Sequence, residues 1–165
     1  MPSENQELQQ VPIPTARLIQ PARPGRWVRI SLLAIGIMLV AVFALAVWLN
    51  PYNADGTPRN MATHTKLGLP PCNFVELTGK PCPSCGMTTS FALLVRGDVG
   101  NSLNANWVGA LLAATWAGLL VWCFASAAAN RLFLIPDGRG ETIITVFVGG
   151  FLVLMVGRWV AILIK

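Results

Sequence analysis

Two cysteines at CxxC spacing, Cys82 and Cys85, sit in the stretch Pro81-Cys82-Pro83-Ser84-Cys85-Gly86-Met87-Thr88-Thr89-Ser90, and a third, Cys72, precedes them. Thiols so placed can do three kinds of chemistry. As a structural disulfide they would tie a loop to the helix that follows, a use that suits an oxidising compartment. Three loop cysteines leave one over, which that use does not explain. As a redox pair, Cys82 and Cys85 would exchange disulfides, with Cys72 as shuttle or second partner. A helix starting at the motif would stabilise a thiolate, making Cys82 the more acidic thiol and Cys85 the resolving one. Pro83 stiffens the turn between them, Thr88 and Thr89 offer hydroxyls, and Lys80 is a nearby cation. As a metal clip, Cys72, Cys82 and Cys85 with His64 make a zinc set of three thiolates and one imidazole.

The structural disulfide ranks first, redox exchange second and the zinc clip third. The βαβ pattern that surrounds CxxC in soluble thiol oxidoreductases is missing, so catalysis is not the leading expectation. If there is activity, it is that of a membrane thiol–disulfide oxidoreductase. No cofactor is expected, and zinc is the one these residues would accept. His64 is the only histidine. No Ser/His/Asp set, carboxylate pair or phosphate loop accompanies it. Cys123, inside an apolar run, reads as a small buried residue.

The elements that must position these thiols are set by lipid. Of 165 residues 54% are hydrophobic and only 12% charged, with a net charge of +5. Soluble domains carry about 25% charged residues, so most of this chain meets something other than water. The basic residues cluster beside apolar runs instead of forming a stripe interleaved with aromatics, which excludes nucleic acid and points to a lipid bilayer as partner.

Residues 1–26 are polar and punctuated by proline, the composition of a flexible tail. From Ile30 to Leu49 nothing is ionisable, and Trp27 and Trp48 stand at the ends, as expected of a first span over 27–49. Asn50-Pro51 stops it. An extramembrane cysteine loop and a short helix occupy 50–106; that helix is predicted near Ser84–Arg96, with Met87, Phe91, Leu94 and Val95 on one face. It would lie in the membrane interface or pack on the bundle. Gly97 suits its C-terminal turn and Asp98 the N-cap of the next helix. Further spans are predicted at 107–129 and 142–164, with a turn at Pro136–Gly140 between them. Gly109, Ala113 and Ala117 recur every fourth residue, a pattern that lets helices approach closely in lipid and would serve self-association or a membrane-protein partner. Arg158 interrupts the third span and is expected to snorkel to the headgroups; the competing use is a cation facing the bundle. The expected fold is thus an all-α membrane protein of three spans with a short interfacial helix after the cysteine loop. The basic flank of the first span places the N-terminus in the cytoplasm and the loop outside.

Cys72-Asn73-Phe74, Leu77-Thr78-Gly79, the run from Pro81 to Thr88, Gly97-Asp98 and Asn106 together resemble domain of unknown function 2752, found in small bacterial membrane proteins. Its pattern runs CxF..LTGxPCPxCGxT…GD…N ahead of an apolar span, and the resemblance covers about residues 70–120. It implies a multi-pass protein of the bacterial inner membrane and brings no activity with it. Gly86, Thr88, Gly97, Asp98 and Asn106 are the structural members of the pattern, serving turns and caps. Two departures bear on the site. Asn106-Trp107 stands where relatives often have Asn-Pro, so the second span is expected to start earlier and run without a break. Thr89 stands where an Arg often follows, so that cation is missing or its role passes to Arg96.

Overall fold

A computed structural model describes residues 24–70, 72–132 and 140–164. The expected tail up to residue 23 and the expected turn over 136–139 lie outside the described residues. Five α-helices follow one another: α1 (Arg26–Trp48), α2 (Asn73–Thr78), α3 (Met87–Leu94), α4 (Val99–Ala129) and α5 (Gly140–Ile164), with a short 3-10 turn at Thr63–Leu67. Among the described residues there is no strand, only an isolated bridge between Tyr52 and Pro58. Three helices, α1, α4 and α5, are long and apolar enough to cross a membrane. Their sides are covered with exposed Leu, Ile, Val and Trp, a surface that water would not tolerate and lipid solvates.

The packed core lies at the loop end of the bundle, where α3 wedges between α1 and α4. Phe91 is its centre: it clusters with Ala46 of α1 and Ala113 of α4, with Val42, Met87, Leu94, Val95 and Trp116 around them. Its ring meets Trp116 edge-on at 5.6 Å and stacks on Phe43 at 6.3 Å. The face of Met87, Phe91, Leu94 and Val95 is therefore a packing face. Thr89, Ser90, Ala92 and Leu93 are buried too, so α3 is enclosed on nearly all sides and packs on the bundle. At the other end, Leu32 packs on Cys123 and Ala127, which confirms Cys123 as a small buried residue.

α4 corrects the expectation of an unbroken helix. It does start early, at Val99, yet Asn106 adopts extended backbone (φ −161°, ψ 99°) and splits it in two. The Asn106 side chain supplies the reason. Its Oδ1 accepts the Gly109 N–H at 3.1 Å, capping the helix that continues into the membrane, so no proline is needed at Trp107. In a continuous helix the Gly109 N–H would bond to the Ala105 carbonyl four residues back. That carbonyl is released for another partner. The small-residue stripe is likewise partly engaged within the chain: a Cβ on Gly109 would press at 3.3 Å on Met87 and Ser90, and Ala113 is fully buried. Ala117 remains exposed.

α5 is attached differently. No residue of it is fully buried. Arg158 Nη2 donates to the Ala105 carbonyl at 3.0 Å, Trp159 Nε1 donates to the Pro81 carbonyl at 2.9 Å, and the Trp159 ring meets Phe74 edge-on. Arg158 thus faces the bundle instead of snorkelling to the headgroups. The kink gave it an acceptor that a helix interior would not have offered.

Candidate functional site

The loop between α1 and α4 folds back on itself before it presents any thiol. Residues 51–59 form a tight turn closed by the Arg59 N–H to the Pro51 carbonyl, with the Tyr52 hydroxyl donating to Asp98 at 3.1 Å. Thr63 and Thr89 share a buried hydroxyl hydrogen bond of 2.8 Å that fixes the loop to α3. Arg96 donates to the Ala46, Val47 and Ala92 carbonyls, closing the C-terminal end of α1. It is therefore a helix-end residue, and the role suggested for it beside the thiols falls away.

These constraints bring all four sequence-flagged site residues together. Cys72, Cys82, Cys85 and His64 line one cavity of about 260 Å³, along with Ser84, Thr88 and Thr89. The cysteines carry free thiols, and each loop thiol is half-buried. The Cys85 amide donates to the Cys82 carbonyl at 3.0 Å, so the CxxC segment is a turn, and Gly86 follows as the N-cap of α3. Neither cysteine occupies the helix N-terminus expected for it.

The thiol that backbone amides reach is Cys72. The amides of Val75 and Phe74 turn toward its sulfur and hold the thiol below its ordinary range, helped by contact with Cys82 and opposed by Glu76. Cys82 is the shared neighbour, interacting with both other thiols, and its Sγ lies 3.4 Å from the Ser84 hydroxyl. Burial pushes the Cys85 thiol up, and the neighbouring thiols push the same way. Its Sγ rests 3.9 Å from the Met61 sulfur, a contact that nothing in the sequence announced. Among the described residues no three of His, Cys, Asp and Glu converge closely enough to hold a metal ion.

The floor of the site is set by Gly86 and Asn106. Gly86 has φ +82°, and a Cβ there would lie 2.7 Å from the Ala105 carbonyl oxygen and 2.8 Å from that of Asn60. Only glycine fits both the dihedral and the space. Asn106 Nδ2 donates to the Cys85 carbonyl at 3.1 Å, so one side chain both caps the membrane helix and grips the cysteine turn. Beside it, Ser90 and Ser102 form a buried knot: Ser90 Oγ reaches Ser102 Oγ and the Asn106 carbonyl at 2.9 Å, and Ser102 Oγ reaches the Ser90 carbonyl at 2.8 Å. Two hydroxyl protons serve three contacts there. Gly97 (φ +78°) ends α3, and Asp98 caps α4 through the Asn101 amide at 3.3 Å. The Asn101 side-chain Nδ2, donating to both carboxylate oxygens at 3.0 and 2.9 Å, holds that carboxyl below the usual range, helped by the Tyr52 hydroxyl and the Asn101 N–H. Sequence reasoning passed over Ser90 and Ser102, and Trp159 too. Arg158 alone carried a signal, as the ionisable residue inside an apolar span.

Fold and site together define a multi-pass helical membrane protein with a thiol-lined cavity on its loop face. Residues 72–120 match the family model described as "Protein of unknown function (DUF2752)". The match begins at Cys72 and ends within α4, enclosing every thiol of the cavity together with α3 and the kink. No curated protein and no solved structure matched the chain.

Proposed function

We propose that the loop face is a thiol–disulfide exchange site in which Cys72 is the attacking thiol and Cys82 the resolving one. The observation that carries it is the Cys72 thiol, lowered by two backbone amides and in contact with Cys82 at an open cavity. The thiolate is the nucleophile in exchange, so the more acidic thiol attacks first near neutral pH. The Cys72 thiolate attacks one sulfur of a partner disulfide; that S–S bond breaks, a mixed disulfide forms and the first partner thiolate leaves. The Cys82 thiolate then attacks the Cys72 sulfur and expels the second. The partner gains two electrons, the protein is left with a Cys72–Cys82 disulfide, and the two thiol protons go to solvent. Cys85, held protonated by burial, is the reserve thiol for reshuffling.

The test uses the full chain in detergent micelles. Iodoacetamide is expected to modify Cys72 from a lower pH than Cys85, because a lowered thiol pKa puts the thiolate in place earlier. In Cys82→Ser a mixed disulfide on Cys72 is expected to accumulate. Matching pH profiles and no trapped adduct would sink the reading.

A second reading is supported by His64 lining the same cavity: Cys72, Cys82, Cys85 and His64 draw together around zinc and clip the loop. Stoichiometric zinc in purified protein, lost in Cys82→Ser, is its signature. In either case we place the protein in a bacterial inner membrane, N-terminus in the cytoplasm and loop outside, on the strength of the basic flank Arg26 and Arg29 ahead of α1. Labelling of intact cells with a membrane-impermeant maleimide tests the side.

A further inference from the structure

We propose that Arg158 sets the substrate class of the thiol site, selecting a small anionic thiol or disulfide over a neutral one. This rests on the exchange reading above and adds to it the kind of molecule exchanged.

The argument starts from an uncompensated charge. Arg158 Nη2 is bound to the Ala105 carbonyl, an acceptor without charge, and Nη1 is buried with no hydrogen-bond partner. A guanidinium half-removed from water ordinarily sits with a carboxylate, and a lone buried charge is costly. Among the described residues no Asp or Glu forms an ion pair with it. The ionisable group nearest to it in the thiol site is Cys85, which lines the cavity that Arg158 itself stands behind. The position follows from the backbone: Ala105 O is the atom against which Gly86 is pressed, and Gly86 follows Cys85 directly. The guanidinium therefore lies just behind the cysteine turn, anchored at the kink. A cation in a low-dielectric wall attracts an anion far more strongly than one in water. The cavity of about 260 Å³ admits a small molecule. Among the described residues the acid that bears on a loop thiol is Glu76, and the thiol it acts on is Cys72. An anionic co-substrate is thus drawn toward the Cys85 side while its sulfur meets the Cys72–Cys82 pair.

Paired reagents of like size, one anionic and one neutral, test this on the full chain in micelles. Iodoacetate is anionic and iodoacetamide neutral; both attack the same thiolate, so their rate ratio at one cysteine cancels the fraction ionised. In the native protein the ratio, read by mass spectrometry of each cysteine peptide, is expected to be several-fold higher at Cys85 than at Cys72. Arg158→Gln is expected to lower the Cys85 ratio about threefold or more and Arg158→Lys to keep it, since the proposal needs the charge and not the fork of the guanidinium. A Cys85 ratio at or below that of Cys72, or one unchanged in Arg158→Gln, overturns the proposal. Should Arg158→Gln fail to fold, the native comparison of the two cysteines decides alone. In exchange itself, the preference for anionic dithiobis(nitrobenzoate) over neutral dithiodipyridine is expected to fall in Arg158→Gln by a similar factor. Alkylation needs no exchange, so a protein that passes the alkylation arm and traps no mixed disulfide loses the exchange reading and keeps its cationic wall.

Discussion

The α1–α3–α4 junction and α5 belong to one chain and are held by opposite means. At the junction, Phe91 is enclosed by apolar side chains, and the polar groups buried beside it bond to one another: Thr63 with Thr89, Ser90 with Ser102 and Asn106. Among the described residues α5 buries none of its own fully and is tied by two hydrogen bonds to carbonyls and one ring contact. In lipid, apolar burial brings little to helix association, because acyl chains solvate a Leu side chain as well as a neighbouring helix does. What holds a span is close packing of small residues or a polar bond that lipid cannot replace. The junction uses both, through Gly109 and the serine–asparagine knot. α5 uses the second alone, and its polar partners are carbonyls offered by the kink at Asn106 and by the cysteine loop.

The contrast can be broken hardest at Gly86. Gly86→Ala forces a Cβ into the Ala105 and Asn60 carbonyls at a left-handed dihedral. It is expected to cost more than about 2 kcal/mol, read as a fall in thermal unfolding midpoint in micelles with the cysteine loop newly open to alkylation. A loop that stays protected would show that the close approach is not needed. Next comes Asn106→Ala, which removes both the cap and the grip on Cys85; a loss of about 1–2 kcal/mol is expected. Asn106→Asp should restore the cap at Gly109 and leave the Cys85 bond missing, separating the two roles. Trp159→Phe sharpens the other side of the contrast. It deletes the bond to Pro81 and keeps an aromatic ring, so α5 should loosen, seen as a broadened spin-label distance between α5 and α4, with a change in midpoint below about 1 kcal/mol. A shift as large as that of Asn106→Ala would mean that α5 is integral to the core. The smallest effect is expected at Asp98. Its carboxyl is held below its ordinary range, so the stabilisation is present above the unfolded-state pKa and is lost as pH falls through the lower folded one. Acid titration of stability should flatten slightly in Asp98→Asn below the usual carboxylate range; an unchanged profile counts against the bonds from the Asn101 side chain and Tyr52.

Much of the fold was legible because lipid leaves plain marks. Runs without charge, with Trp27 and Trp48 at the ends of the first, marked the three long apolar helices, although α4 starts at Val99 and not near Trp107; the face of Met87, Phe91, Leu94 and Val95 was legible as apolar, and its choice between membrane interface and bundle was not. Of the site, the sequence pointed to residues that share a setting: Cys72, Cys82, Cys85 and His64 line one cavity, while among the described residues no three of His, Cys, Asp and Glu converge to hold a metal ion. The site's internal order was not legible. A thiol's acidity depends on which amides point at it, and that required α2 to form at Asn73 so that Phe74 and Val75 could face Cys72. No CxxC rule carries that information.

By itself the sequence determined that this chain lives in lipid, spans it with three helices and displays three thiols beside one histidine at one end. Those properties depend on local composition and on length. The tertiary structure alone decided that Asn106 would break α4, that the released Ala105 carbonyl would capture Arg158, and that two backbone amides would aim at the Cys72 thiol. Each of these turns on a hydrogen bond between residues far apart in the chain or on the aim of a backbone amide, and neither can be counted along a sequence.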